Sequence, residues 1–195
     1  PRDDGVGIRL GVRRYLPNVG DDKNKNAVDS WYLYHPLIAL GRLALAGDSL
    51  ARELFEGSLD YAVKAARHFN YAWPIQYDVR TFKVITAARN DQGLGQTDVG
   101  GVYAYVMLLA HELTREAVYL RQAKAALRAL KDVRFELAYQ TNLTAWGAAA
   151  CMKLWAMERD AEILAQSDVF IAGFLHNCGL WQSRIGRSRT FCSFL

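Results

Sequence analysis

Between residues 29 and 182 the apolar positions recur at helical spacing, and the helices they predict are of two alternating kinds. One kind is apolar nearly all round. Val102, Tyr103, Tyr105, Val106, Met107, Leu108 and Leu109 leave little polar face on a helix over 99–113. Trp146, Gly147, Ala148, Ala149, Ala150, Leu154 and Trp155 do the same over 143–157. A helix over 31–46, with Trp31, Tyr34, Leu37, Ile38 and Leu45, also covers more than one face. Helices without a polar side are buried on most sides. The other kind is one-sided. Over 49–68, Leu50, Leu54, Tyr61, Ala62 and Ala65 stand opposite Arg52, Glu53, Glu56, Lys64 and Arg67. Over 116–130, Leu120, Ala123, Leu127 and Leu130 stand opposite Arg121, Lys124, Arg128 and Lys131. A sixth helix, 161–175, begins polar and ends apolar. Buried and amphipathic helices in alternation predict an inner and an outer layer.

The same units repeat. Gln96-Thr97-Asp98-Val99 opens one hairpin, and forty-four residues later Gln140-Thr141-Asn142-Leu143 opens the next. Arg115-Glu116 follows Asp98 by the spacing at which Arg159-Asp160 follows Asn142. Asp29-Ser30-Trp31 opens a third unit that stops at Gly47-Asp48. Repeats of this length are helical pairs that stack because none can bury its apolar face alone. The expected fold is therefore all-α, with stacked antiparallel hairpins and no sheet of three or more strands. Inner-to-outer turns are short, whereas the return at 70–97 is long. Within it Ile75, Tyr77 and Val79 alternate with polar residues and Phe82-Lys83-Val84-Ile85-Thr86 is β-prone, so it reads as extended or irregular. Residues 1–28 form an irregular N-terminal segment, 29–182 the helical domain and 183–195 a tail.

Composition narrows the function classes. A net charge of +4 over 195 residues supplies no basic stripe, so no nucleic-acid partner is expected. The longest apolar run, near 102–110, is too short to span a bilayer, so no membrane partner is expected. Cys151, Cys178 and Cys192 are odd in number and far apart. They read as small buried hydrophobes and favour a cytoplasmic over a disulfide-stapled chain. His35, His68, His111 and His176 have no metal spacing, so neither metal nor cofactor is expected. The start at Pro1 and the ending without a cap read as a mature form or a fragment.

The alternating helices, the Gly47-Asp48 turn, and the polar-aromatic openings Asp29-Ser30-Trp31, Gln96-Thr97-Asp98 and Tyr139-Gln140-Thr141-Asn142 resemble the six-hairpin (α/α) toroid of glycoside hydrolases, polysaccharide lyases and sugar epimerases. The likeness is one of pattern and covers about residues 28–182. It implies a partial or complete toroid. It also implies a saccharide ligand in a cleft at the N-terminal ends of the inner helices. Three hairpins make about half of a closed ring, which is the departure from that pattern.

Three acids fall at the starts of inner helices or on the long loop: Asp29, Asp78 and Asp98. Glycoside cleavage needs one protonated and one ionised carboxyl across the scissile bond. The expected pair is Asp98 with Asp78, and Asp29 is the alternate partner. Asp29 and Asp98 also stand where helix caps stand, and Asn142, which caps but transfers no proton, holds the matching place in the next repeat. For the sugar, Trp31, His35, Trp73, Tyr77, Tyr139 and Trp181 are candidate ring platforms. Gln96, Gln140, Asn142 and His176 are candidate hydrogen-bonding groups. The positive ends of the inner helices favour an acidic, uronic-acid-containing saccharide. The alternative is a non-catalytic helical-repeat module that binds a peptide or protein partner on its concave face.

Overall fold

A computed structural model of the protein describes residues 26–87, 98–133 and 140–178, and two short strands beyond them. Gln96, Tyr139 and most of the tail lie outside the described residues. The elements run β1 (Ala27–Asp29), α1 (Ser30–Leu45), α2 (Ser49–His68), β2 (Gln76–Asp78), β3 (Val84–Thr86), α3 (Val99–Thr114), α4 (Ala117–Ala129), α5 (Thr141–Glu158), α6 (Ala161–Asn177), β4 (Trp181–Gln182) and β5 (Ser193–Phe194). All six expected helices are present, with ends within two residues of those read from the sequence.

The turns explain the repeated residue pairs. Arg115 and Arg159 end α3 and α5 in the left-handed region, with φ of 64° and 57°, and their N–H groups bond back to His111 and Trp155. Such a residue closes the last helical turn and reverses the chain. The acid that follows opens the next helix. The Asp160 carboxylate accepts from the Glu162 N–H at 2.8 Å. At the first hairpin Gly47, at φ 100°, reverses the chain and Asp48 caps α2 by accepting from the Ala51 N–H at 2.8 Å.

α1, α3 and α5 form the inner layer. Each packs against its own outer helix, α2, α4 or α6, and α3 lies between α1 and α5. The inner helices run parallel. At their starts the Asp98 carboxylate takes the Gln140 N–H, and near their far ends Lys153 pairs with Glu112. Between α1 and α3, Tyr34 meets Tyr103 near the starts, and Gly41 meets Leu109 further on. The core follows this layout. Leu33, Tyr34, Leu37, Tyr103, Val106, Met107, Leu108, Leu143, Cys151 and Leu154 are all fully buried. Two apolar positions depart from the expected stripes. Leu45 and Leu50 are 38% and 62% exposed, because the first hairpin turn leaves both outside the layer contact.

The expectation of no sheet of three or more strands is corrected. β1, β2 and β3 form a small antiparallel sheet at the N-terminal end of α1. Val28 pairs with Tyr77, and both are buried. The alternation of Ile75, Tyr77 and Val79 marked this segment as extended. Its partner, β1, is only three residues long and runs straight into a helix, too short to show a period of two.

Helix contact is closest where side chains are absent. A Cβ on Gly101 would lie 2.6 Å from the Gly147 Cα, and one on Gly147 would lie 2.5 Å from the Phe170 Cε1. Nothing lies within 4 Å of a Cβ on Gly57, in the exposed middle of α2. Gly101→Ala should therefore lower stability by about 1–3 kcal/mol, the usual cost of overpacking. Gly57→Ala should raise it by about 0.5–1 kcal/mol, from helix propensity alone. Urea midpoints at constant slope measure both. Shifts of the same sign would contradict the backbone contact between α3 and α5.

Candidate functional site

Across β1 and β2 the alternation separates an apolar core face from a face that carries the acids. Val28 and Tyr77 point to the core, so the residues on either side of them, Ala27, Asp29, Gln76 and Asp78, share the other face. β3 adds Thr86 to it, whose hydroxyl donates to the Gln76 side-chain oxygen at 3.2 Å. The register sets Ala27 opposite Asp78 and Asp29 opposite Gln76. Asp29 and Asp78 are thus diagonal neighbours, at a spacing of about 7–8 Å in a regular antiparallel pair.

The two carboxylates are pulled in opposite directions. Asp29 is 9% exposed and is the cap of α1, accepting from the Trp31 N–H at 3.0 Å. Burial outweighs that bond and pushes its pKa up to about 6. Asp78 closes a tight turn by accepting from the N–H groups of Arg80 and Thr81, both at 2.9 Å. Partial burial works the other way, but these bonds and the nearby Arg80 charge together hold Asp78 below the usual carboxylate range. The chain is clamped here. Ser30 donates from its N–H to the Ile75 carbonyl at 2.9 Å and from its hydroxyl to the Pro74 carbonyl at 2.6 Å.

Asp98 occupies a different setting. It is fully buried, does not cap its own helix through its side chain, and accepts the Gln140 N–H at 2.8 Å. It ties the start of α3 to the lead-in of α5. The capping expectation thus gives way to a link between repeats. Asn142 is exposed inside α5, one residue past its start, with its side-chain oxygen on the Leu143 N–H at 3.0 Å.

Trp73 and Tyr77, expected as ring platforms on an outlying loop, are core residues with 0% exposure. The loop folds back over the inner helices, so that the Trp73 Nε1 donates to the Tyr34 hydroxyl at 2.9 Å and Tyr77 packs on Phe69. Neither ring offers a face to a ligand. Trp31 is nearly buried beside Asp29, and its ring lies 4.5 Å from that of the exposed His35. Gln140 is half-buried, and His176 is exposed near the far end of α6. Trp181 pairs with Phe194 in a two-stranded ribbon. Gln76 and Thr86 were not singled out as candidates. The alternation that buried Tyr77 was the signal that would have found Gln76.

A separate cavity of about 320 Å³ lies between α4, the end of α5 and the start of α6. Lys124, Arg128 and Lys131 line it with Glu158, Asp160 and Glu162. Two of the cations are already paired, Lys124 with Glu158 and Lys131 with Glu162. Among the described residues no group of three or more His, Cys, Asp or Glu could hold a metal ion, and no helix is long and apolar enough to cross a membrane. Cys151 is a buried free thiol whose pKa burial pushes up to about 12, which makes it a poor nucleophile.

Compared with known proteins, the chain matches no family model, no curated protein and no solved structure.

Proposed function

We propose that the polar sheet face is a saccharide-processing site, with Asp29 as general acid and Asp78 as general base. The observation that supports it is the opposite pull on two carboxylates of one face. Burial keeps one protonated at mildly acidic pH, and hydrogen bonds keep the other ionised. The register makes the two residues diagonal neighbours on one sheet, and the mechanism they fit is inversion, in which the base activates a water across the sugar from the acid. In this reading Asp29 protonates the leaving oxygen, Asp78 takes a proton from the attacking water, and Gln76 and Thr86 bind hydroxyls beside them. Trp31 and His35 flank the acid at the start of α1. The arrangement of the hairpins as part of an (α/α) toroid belongs to the same proposal. The N-terminal ends of the parallel inner helices favour an acidic saccharide, so uronic-acid-containing oligosaccharides are the expected class.

The test is calorimetry and product analysis against neutral and uronate-containing oligosaccharides. The expected result is binding and cleavage of a uronate-containing member. Its rate should fall above about pH 6 as Asp29 ionises. It should fall again in stronger acid, below the ordinary carboxylate value of 3.8, as Asp78 takes up a proton. No heat and no product with any saccharide would retire the enzyme reading in favour of the partner-binding module.

A further inference from the structure

Among the described residues the hairpin array is open at both ends, and its internal repeat says what the open ends fit. α5 covers one side of α3 through named contacts. Gly101 meets Gly147, the Tyr105 ring lies 4.7 Å from the Trp146 ring, and Glu112 pairs with Lys153. Forty-four residues on, the repeat spacing carries Gly101, Tyr105 and Glu112 to Ala145, Ala149 and Ala156. These three lie along one face of α5 with Met152, which is 41% exposed. Ala145 and Ala156 are exposed and Ala149 half-buried. The face of α5 that corresponds to the covered face of α3 is therefore uncovered.

The outer helix continues the same flank. On α6, Phe170 packs on Gly147 and the Gln166 amide donates to the Leu127 carbonyl of α4, which fixes the buried side. Leu164, Ile171 and Leu175, spaced for one helix face, turn away from α4. Ile171 and Leu175 are 44% and 60% exposed. Inside the array the inner helices meet through Gly101, Gly147 and the Tyr105–Trp146 ring pair. The other end of the array offers the complement. α1 exposes Ala39 and Leu43, the latter by 51%, and α2 exposes Leu50 by 62% with Leu54 half-buried beside it. An inner helix and an outer helix present apolar residues side by side at each end.

We propose that a second copy of the chain docks its α1–α2 flank on this α5–α6 flank, so that α1 of one copy lies on α5 of the other as α5 lies on α3. The occupant is argued from the repeat. What covers this kind of face within the chain is the next parallel inner helix with its outer partner, and among the described residues α1 with α2 is the unit of that kind whose outer side is open. The small residues Ala145 and Ala149 permit the close helix approach that Gly101 permits inside. Met152, Ile171 and Leu175 supply the apolar area, against Leu43, Leu50 and Leu54. The contact is heterologous, head to tail, and so either closes or propagates.

Sedimentation of the full chain over a wide concentration range tests this, with two variants at exposed positions. Ala145→Arg blocks the tail, and Leu43→Arg blocks the head. Each should keep wild-type helicity by circular dichroism. Wild type should sediment above the monomer mass and each variant alone as a monomer. A mixture of the two variants should form pairs and nothing larger, because one intact head meets one intact tail. Met152→Arg and Leu50→Glu repeat the test should either first variant lose its helicity. A wild type that stays monomeric overturns the proposal. So does assembly that survives Leu43→Arg, which marks a tail-to-tail contact or another partner surface, and so does a mixture that fails to pair.

Discussion

Trp73→Ala should lower the unfolding free energy by about 3–5 kcal/mol, the range for removing a large buried aromatic. Trp73 is 0% exposed, and its ring lies 5.6 Å from Tyr34, 5.1 Å from Tyr103 and 6.4 Å from Tyr71. Its indole N–H donates to the Tyr34 hydroxyl, while Tyr103 and Tyr71 both donate to the buried Gln122 side chain at 2.8 and 3.2 Å. Through this cluster the loop after α2 is bound to α1, α3 and α4 at once. The loop residues that follow carry the sheet, so loosening Trp73 loosens Asp78 as well. Trp73→Phe separates the two contributions. It keeps most of the apolar contact but removes the N–H that Tyr34 accepts, and should cost about 1–3 kcal/mol. Denaturant midpoints at constant slope give both numbers. A loss under about 1 kcal/mol for Trp73→Ala would mean that this ring is not the clamp described.

The helices were legible because each carries its own signal over a dozen or more residues. The glycine turn, the aspartate cap and the 3.6-residue period agree at Gly47-Asp48-Ser49, and the start of α2 follows. The layering was legible too, since a helix such as α3 has nowhere to turn a polar face. What sequence could not convey was the depth of the loop after α2. Trp73 and Tyr77 stand among Asn, Gln, Pro and Asp, which is the local composition of an exposed connection. Their burial depends on contacts with residues such as Tyr34 and Val28, some forty to fifty positions away. Asp98 was obscured for the same reason. Its partner is the backbone N–H of Gln140, and no side-chain pattern announces a backbone donor. The sequence paired Asp78 first with Asp98 and only alternatively with Asp29; the diagonal placement of Asp29 and Asp78 rests on a strand register that three-residue strands do not encode.

Asp29→Asn and Asp78→Asn should each reduce saccharide turnover by about 10²–10⁴-fold, the usual worth of a general acid or base, while the fold stays intact. Both replacements keep an acceptor oxygen. The amide placed at position 29 can still cap α1 at the Trp31 N–H, and the amide at position 78 can still hold the turn at Arg80 and Thr81. Stability then separates the two residues. Asp29 has a folded pKa of about 6 against an ordinary value of 3.8. The folded state therefore holds the proton more tightly than the unfolded one. The stability this contributes is present in full below pH 3.8 and is lost as pH rises through about 6. At neutral pH and above the wild type carries a buried charge, and Asp29→Asn should be more stable by about 1–2 kcal/mol after allowing for partial solvation. That advantage should vanish as pH falls toward 3.8. Asp78 has the opposite sign. Its lowered pKa contributes stability above the ordinary carboxylate value that fades as pH falls through the folded one, so Asp78→Asn should cost a little at neutral pH. A general acid made possible by burial thus predicts a variant that is more stable and less active. An Asp29→Asn protein with a flat stability difference from acid to neutral pH would remove the raised pKa on which the acid's role depends. Unchanged turnover of a cleaved saccharide in both variants would move the chemistry away from the sheet altogether.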